Sequence, residues 1–193
     1  MHRKLILAST SPYRRELLGR LGLPFRSVAP EVDEDSYKSL DLTPTMLART
    51  LARAKARSVA ERFPDAVVIG SDQLVEFQGR VLGKPQTESR AVEQLLDLAG
   101  RSHRLITSIA IADALGIEEA TDVTTLQLRS LVRDEAVRYV DTDRPIDCAG
   151  SYKIESLGIA LFDRIESEDY TAIIGLPLIR LCGMLRARGL LVP

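Results

Sequence analysis

Two short segments without polar side chains, Leu5–Ala8 and Ala66–Gly70, constrain the fold of this chain more than any other feature. A strand that lacks polar alternation is buried on both faces, as in a sheet that helices cover on both sides. Ser11 and Thr43, each followed by a proline, are typical of residues that cap the start of a helix. Because strands and helices alternate, the sequence predicts an α/β fold with a twisted mixed β-sheet flanked by helices.

The remaining segments continue this alternation. A break near residue 100 predicts two lobes around a central cleft, within one domain that spans residues 1–193. The Gln78-Gly79 pair indicates a hairpin. Extended segments or strands are predicted over Phe25–Val32, Leu105–Ala112, Thr121–Leu128 and Gly158–Ile165, and helices from Thr43 to about Arg62, from Thr87 to Leu98, and over Val132–Val140 and Leu176–Arg188.

The composition limits the possible partners. The net charge is −1, so no overall basic field is available to hold nucleic acid, and any polyanion site must be local. The chain has no tryptophan, and its two cysteines, Cys148 and Cys182, are too far apart to suggest a zinc ligand pair or a disulfide framework. Neither a signal sequence nor a long apolar span is evident. We therefore expect a soluble cytoplasmic protein with two buried thiols, without membrane or nucleic-acid partners.

Common nucleotide-binding and hydrolytic motifs are absent. No G-x-G-x-x-G follows the first apolar segment, and no G-x-x-x-x-G-K-[ST] occurs. Only two histidines are present, so a serine–histidine–aspartate triad is not favoured. Carboxylates and a metal ion are the expected catalytic groups.

The stretch "LILASTSPYRREL" combines a strand, a hydroxyl-rich turn and the start of a helix with two arginines. A helix N-terminus offers unpaired N–H groups and a partial positive charge to an anion. Ser9 and its neighbours add hydroxyl donors, and Arg14 adds a fork of donors suited to phosphate. Arg14 and Arg15 point about 100° apart on a helix, so we assign Arg14 to the ligand and Arg15 to structure. A capped surface helix with solvated arginines is equally compatible with this stretch alone.

Asp72 follows the second apolar segment, and we expect it at the carboxyl end of that strand, where α/β sheets bind ligands. Lys55 and Lys84 bring cations to the same edge. Carboxylates beside a phosphate site suit a hard divalent cation. Three other acidic residues are interpreted as helix caps or solvated charges: Glu31, Asp33 and Asp35.

Seven motifs together resemble the Maf-type nucleoside triphosphate pyrophosphatases, in the order found in that family: "LILASTSPYRRELL", "PEVDE", "LARAKA", "VIGSDQ", "LGKP", "CAGSYKIE" and "IIGLPL". The resemblance implies a Maf/ITPase-like fold with the active site in a central cleft. It also implies cleavage between the α and β phosphates of a nucleotide, with Mg²⁺ or Mn²⁺ as the cofactor and a nucleoside monophosphate and pyrophosphate as products.

The resemblance also implies roles for individual residues. Asp72 would be the proton acceptor for the attacking water, and Glu34 would be a metal ligand together with Asp72. Lys55 would belong to the same charged catalytic set. The residues placed around the phosphates are Ser9, Arg14 and Lys84.

The base pocket suggests a branch of this family. Members acting on pyrimidine triphosphates carry arginine, threonine and glutamine where this chain has Tyr13, Gln73 and Glu155. The present residues resemble the branch that acts on 7-methyl-GTP, although Tyr13 stands where a tryptophan would be expected. An aromatic ring can stack on the cationic methylated guanine, and a carboxylate can accept hydrogen bonds from its N1–H and 2-amino group. Alternatively, Tyr13 only covers the start of the helix.

Two other functions remain open from the sequence. One is a pyrophosphatase for pyrimidine nucleotides, such as dTTP and UTP, or for other modified nucleotides. The other is a non-catalytic nucleotide-binding regulator of cell division. The family resemblance makes a homodimer possible, and the apolar segment "IIGLPLIRLCGML" is expected to serve the core rather than an interface.

Overall fold

The computed structural model describes residues 3–192, so the outermost residues of the predicted domain 1–193 lie outside it. The helices are α1 (Pro12–Gly19), α2 (Glu34–Lys38), α3 (Pro44–Ala60), α4 (Glu88–Leu98), α5 (Arg133–Asp143), α6 (Tyr170–Ile174) and α7 (Leu178–Ala187). The strands are β1 (Lys4–Ala8), β2 (Phe25–Val28), β3 (Ala66–Phe77), β4 (Arg80–Leu82), β5 (Ser102–Asp113), β6 (Gly116–Leu128) and β7 (Phe162–Glu166). Short 3₁₀ helices lie at Ala149–Ser151 and Leu157–Leu161.

In the described part of the chain, these strands form one seven-stranded sheet in the order β2-β1-β3-β5-β6-β7, with β4 paired to β3. β1 runs parallel to both β2 and β3, whereas β3–β4 and β6–β7 are antiparallel pairs. The predicted α/β class with a mixed sheet and flanking helices is therefore confirmed.

The chain divides into two compact units. The first unit comprises the described residues as far as Gln73, the segment Thr107–Asp122, and the described residues from Asp169 onward. The second unit comprises Leu74–Ile106 and Val123–Glu168. Strands β3, β5 and β6 each contribute residues to both units, so the unit boundaries fall within strands rather than in linkers.

The core of the first unit surrounds the two apolar segments that the sequence singles out. Leu7 and Ile69, which are register partners on β1 and β3, are fully buried. The segment "IIGLPLIRLCGML" joins this core through Leu176 and Leu181, as predicted, while Ile179 is exposed. Burial on both sheet faces explains why these strands show no polar alternation.

Helix α3 approaches the sheet closely at Gly70. A Cβ atom at this position would lie 2.3 Å from the carbonyl oxygen of Ala52 and 2.6 Å from the backbone nitrogen of Ala56. Only a residue without a side chain permits this helix–strand contact. The contact fixes the axis of α3, and with it the position of Lys55 on that helix.

The predicted helix starts are confirmed by their hydrogen bonds. The hydroxyl of Ser11 accepts from the backbone N–H of Arg14, and the hydroxyl of Thr43 accepts from that of Met46. Thr87 caps α4 in the same way. Each cap satisfies one N–H group that the helix itself leaves unpaired.

The second unit packs α4 and α5 around a separate core that includes Leu95, Leu98 and Tyr139. The predicted hairpin joins β3 to β4, with positive φ angles at Gln78 and Gly79. Two consecutive positive φ angles are typical of the tight turn that matches the twist of a two-stranded ribbon.

Several predicted boundaries are wrong: β5 and β6 begin earlier than predicted, at Ser102 and Gly116, and three other boundaries also differ. The strand that begins at Ala66 continues through Asp72 instead of ending before it, because Ser71 and Asp72 are themselves buried. Residues 158–161 are not extended, since Gly158 lies against the backbone of Lys153, where a Cβ would come within 2.4 Å of the carbonyl oxygen. The extended segment from Phe25 ends earlier than predicted, with β2.

Cys148 and Cys182 are free thiols, as expected, but both are half-buried rather than fully buried. Among residues 3–192, no helix is long and apolar enough to cross a membrane.

Candidate active site

A buried lysine lies at the centre of the candidate site in the first unit. Lys55 on α3 is only 7% exposed. Its Nζ atom lies 2.6 Å from Oδ1 of Asp72 and 2.7 Å from Oε1 of Glu34. A buried ammonium is stable only when it is paired, and here two carboxylates from different elements pair with it. The structure thus brings together Lys55 and Asp72, which are assigned to catalysis, and Glu34, which is assigned as a metal ligand.

Asp72 lies in the interior of β3 with its side chain almost fully buried. Pairing between β1 and β3 ends at Gly70, so Asp72 lies just beyond the end of β1. Among the described residues, its second carboxylate oxygen, Oδ2, is buried without a hydrogen-bond partner. Burial raises the pKa of Asp72 above its ordinary value, against the opposing charges of Lys55 and Arg14. An unpartnered carboxylate oxygen of raised pKa is a ready proton acceptor.

Glu34 is the first residue of α2, which Asp33 caps by accepting from the backbone N–H of Asp35. The Glu34 side chain is 44% exposed. Partial burial favours a higher pKa, but the hydrogen bond and charge of Lys55 outweigh it, and the pKa of Glu34 is lowered. Glu34 therefore stays ionised beside Lys55. Asp33 acts as the cap that the sequence analysis expects.

Arg14 projects from the first turns of α1. Its Nε–H donates to the carbonyl oxygen of Gly175 at 3.0 Å. Burial lowers the pKa of Arg14, while the charges of Asp72 and Glu34 raise it, so the guanidinium lies in the field of both carboxylates. Arg15 is exposed. This difference supports the assignment of Arg14, rather than Arg15, to a ligand.

Ser9 lies in the turn between β1 and α1. It is buried, and its hydroxyl accepts from the backbone N–H of Ser11 at 3.1 Å. This contact orders the turn that precedes the helix N-terminus. The role of Ser9 at a substrate phosphate stays a prediction.

The residues assigned to the base pocket lie on both units. Tyr13 is half-buried on α1 in the first unit. Gln73 belongs to the same unit, and its amide nitrogen donates to the hydroxyl of Thr107 and to backbone carbonyls of α6. Gln73 is thus engaged by the protein itself, and its contact with a base stays a prediction.

Lys84 and Glu155 belong to the second unit, and both are exposed. Asp143 holds the turn that follows Glu155, because its carboxylate accepts from the hydroxyl of Ser156 and from the backbone N–H of Gly158. The joint action of Lys84 and Glu155 with the first unit stays a prediction.

The donor set around Lys55 has the chemistry of a partial metal site. In the described part of the chain, no group of three or more histidine, cysteine, aspartate or glutamate side chains is arranged to hold a metal ion. Glu34 and Asp72 both pair with the ammonium group of Lys55, and Oδ2 of Asp72 is the unpartnered oxygen described above. Mg²⁺ is commonly bound by one or two carboxylates together with substrate phosphates and water. The two carboxylates fit such a cation.

Comparison with known proteins identifies the family. Residues 4–188 match the family described as Maf-like protein. The chain belongs to the Maf-like protein family. It is 52% identical to the 7-methyl-GTP pyrophosphatase of Bdellovibrio bacteriovorus, over 93% of this chain and 94% of that protein. It is 50% identical to the 7-methyl-GTP pyrophosphatase of Xanthomonas axonopodis pv. citri, over 98% of this chain and 99% of that protein.

Among solved structures, this Maf-like chain resembles a nucleoside-triphosphatase / dITP/XTP pyrophosphatase of Mycobacterium abscessus. The TM-score is 0.43 at 16% identity, and the match covers 66% of this chain and 75% of the other.

The Maf-like chain has further site residues that the sequence analysis does not single out. The hydroxyl of Ser71 donates to the carbonyl oxygen of Gly175 at 2.9 Å, next to the bond from Arg14. Thr107 contacts Gln73 and α6. Gly175 lies within the "IIGLPL" motif, which was the available signal, but no pattern in the sequence connects that motif with Arg14, 161 residues away.

Proposed function

We propose that this Maf-like chain is a 7-methyl-GTP pyrophosphatase, which hydrolyses the bond between the α and β phosphates to give 7-methyl-GMP and pyrophosphate. The buried, unpartnered Oδ2 of Asp72 is the observation that carries this proposal, because it supplies the base that a hydrolytic water needs. The names of two relatives, each at least 50% identical over nearly the whole chain, support the substrate.

Asp72 has two oxygens with different surroundings. Oδ1 accepts from Lys55, which fixes the orientation of the carboxylate. Oδ2 is left to take the proton of the attacking water. Burial raises the pKa of Asp72, which makes its carboxylate a stronger base than an exposed aspartate. The proton passes from water to Asp72, and the hydroxide oxygen bonds to the α phosphorus. Pyrophosphate leaves with the electrons of the broken bond between the α phosphorus and the bridging oxygen.

The phosphate chain is the part of the substrate that Arg14 is suited to hold. With its Nε–H engaged by Gly175, Arg14 can offer its terminal N–H groups to phosphate oxygens. The start of α1 adds backbone N–H groups and a partial positive charge. Ser9 and Lys84 complete the proposed phosphate contacts.

Glu34 and Asp72 are the residues that would hold a divalent cation such as Mg²⁺ or Mn²⁺. When bound, such a cation neutralises phosphate charge and lowers the pKa of coordinated water. Lys55 balances part of the negative charge of the same two carboxylates.

For the base, we propose that Tyr13 stacks on the methylated guanine and that Glu155 accepts its hydrogen bonds. A cationic ring favours both an aromatic face and a carboxylate. We further propose that the reaction takes place in the cytoplasm, where unpaired thiols such as Cys148 and Cys182 persist.

The test is pyrophosphate release from 7-methyl-GTP, GTP, dTTP, UTP, CTP and ITP, each with Mg²⁺, with Mn²⁺ and with EDTA. We expect 7-methyl-GTP to be the best substrate, with turnover abolished by EDTA and by Asp72→Asn. Faster turnover of dTTP or UTP would retain the mechanism and overturn the base assignment. Tight nucleotide binding without turnover of any nucleotide would overturn the enzyme and favour a regulator.

A further inference from the structure

One backbone carbonyl in the first unit accepts two side-chain hydrogen bonds from distant parts of the chain. The oxygen of Gly175 accepts from Nε of Arg14 at 3.0 Å and from the hydroxyl of Ser71 at 2.9 Å. Ser71 is fully buried and directly precedes Asp72 on β3. A single carbonyl thus connects the residue beside the proposed base with the proposed phosphate-binding arginine.

The backbone before this carbonyl is held by two further side chains. The amide nitrogen of Gln73 lies 2.9 Å from the carbonyl oxygens of both Ala172 and Ile173. The hydroxyl of Thr107 donates to Ala172 at 2.9 Å. These side-chain donors add to the backbone bond at the end of α6, where the carbonyl oxygen of Ala172 also accepts from the N–H of Gly175 at 3.0 Å.

The other end of the same segment is also fixed. Asp169 accepts from the backbone N–H of Thr171 at 2.9 Å and from that of Ile179 at 2.8 Å. Gly175 has a φ angle of +122°, which an L side chain rarely adopts. The segment from residue 169 to residue 179, called the Gly175 loop below, is therefore closed by side-chain hydrogen bonds and holds its carbonyl in a defined place.

The orientation of Arg14 depends on this carbonyl. A guanidinium presents donors in a fixed plane, so engaging Nε–H sets the direction of the terminal N–H groups. Among the described residues, Arg14 forms no ion pair, although the charges of Asp72 and Glu34 both act on it. Without the bond to Gly175, the negative charges of those carboxylates would attract the guanidinium. A bidentate pair between Arg14 and Asp72 would engage both the proposed proton acceptor and the proposed phosphate-binding side chain.

We propose that the Gly175 loop is a positioning element, which directs Arg14 toward the substrate phosphates and keeps it from pairing with Asp72. Ser71, Gln73 and Thr107 act through the loop as positioning residues. This inference rests on the proposed function only in naming the phosphate ligand. It assigns Gln73 a role through α6, independent of any contact with the base.

Kinetics of two conservative variants test the proposal. Ser71→Ala removes a direct donor to Gly175, and Thr107→Val removes a donor to α6 without changing side-chain size. We expect each to lower kcat/KM for 7-methyl-GTP about three- to tenfold. The matched control is Ser108→Ala, on the same strand as Thr107, because the Ser108 hydroxyl is equally buried but bonds to Thr121. It should leave kcat/KM unchanged.

The Ser71→Ala change made in an Arg14→Lys variant distinguishes a positioning role from a general loss of activity. Lysine cannot reproduce the planar guanidinium, so in Arg14→Lys the Ser71→Ala change should have less than about a twofold further effect. Thr107→Ser, which restores the hydroxyl, should recover the activity lost in Thr107→Val. Equal losses with and without Arg14, or an equal loss in Ser108→Ala, would overturn the proposal.

A spectroscopic measurement does not require turnover. The Nε–H resonance of Arg14, assigned by its disappearance in Arg14→Lys, should exchange slowly with water in the unmodified protein. Exchange should accelerate in Ser71→Ala and Thr107→Val but not in Ser108→Ala. Unchanged exchange in the first two variants would overturn the positioning role. If the protein hydrolyses no nucleotide, the proposed function fails, and this measurement still decides the role of the loop.

Discussion

Lys55 and Asp72 form an ion pair in which both side chains are more than 90% buried, with 2.6 Å between Nζ and Oδ1. Removing two charges from water is costly, and replacing a buried pair by apolar residues often stabilises a protein. The pair is therefore poorly explained by stability alone. Its position beside Glu34 and Arg14, with one oxygen of Asp72 unpartnered, is better explained by chemistry.

Removing Lys55 should expose the cost of that burial. Lys55→Met leaves Asp72 buried without its cation, and we expect the free energy of unfolding to fall by about 3 kcal/mol. The measurement is urea denaturation at pH 7. The double variant Lys55→Met/Asp72→Asn removes both charges and should regain most of the loss. Strictly additive losses in the double variant would show that the two side chains do not interact as described.

Asp72→Asn should separate activity from stability. The amide keeps the shape of the carboxylate and can still accept from Lys55, but it cannot take a proton. We expect kcat to fall about a thousandfold, while the unfolding midpoint stays within a few degrees of the unmodified protein. Pyrophosphate release and a thermal melt on the same preparation provide the check. Retained kcat would exclude Asp72 as the base.

Much of this structure follows from local sequence patterns. The caps at Ser11, Thr43 and Thr87 and the hairpin at Gln78-Gly79 are set by residues close in the chain, and all four are where the sequence predicts them. The continuation of β3 through Asp72 was not predictable, because the burial of this aspartate in a strand depends on Lys55, which lies on helix α3.

In the candidate site, too, local features were predictable and contacts between distant residues were not. Arg14, Glu34 and Asp72 are assigned from local patterns and the family resemblance. The role of the Gly175 carbonyl is not assigned, because every residue has a backbone carbonyl and no residue type marks this one as an acceptor. Helices α2 and α6, with five residues each, are too short to show a helical period.

His103 should make stability depend on pH. It is buried in the second unit, 2.9 Å from the hydroxyl of Tyr152, and burial lowers its pKa to about 4 from 6.5. Between these values the unfolded chain binds a proton that the folded protein does not. The free energy of unfolding therefore falls as pH decreases from 6.5 to 4, by about 3 kcal/mol from this group.

The check is the free energy of unfolding in urea at several pH values from 7.5 to 4.5. His103→Gln should flatten the curve between pH 6.5 and 4.5, whatever its effect on stability at pH 7. An unchanged slope in this variant would mean that His103 titrates normally in the folded protein.

Glu155→Gln tests whether the negative charge of Glu155 contributes to recognition of the methylated guanine. The amide keeps the size of the side chain but no longer favours a cationic ring. We expect kcat/KM for 7-methyl-GTP to fall about tenfold and that for GTP to change less. The ratio of the two substrates is the measurement, because a general loss of activity cancels in it. An unchanged ratio would remove Glu155 from base recognition.

Gly70→Ala should disturb the contact that places Lys55. The added Cβ would meet backbone atoms of Ala52 and Ala56 at 2.3 and 2.6 Å, and neither can move without displacing α3. We expect a loss of about 3 kcal/mol or more in unfolding free energy. The matched control is Gly19→Ala, at the end of α1, where an added Cβ has no neighbour within 4 Å. This change should stabilise the protein by up to about 1 kcal/mol, because alanine favours a helix more than glycine does. Equal effects of the two substitutions in urea denaturation would contradict close packing of α3 on β3.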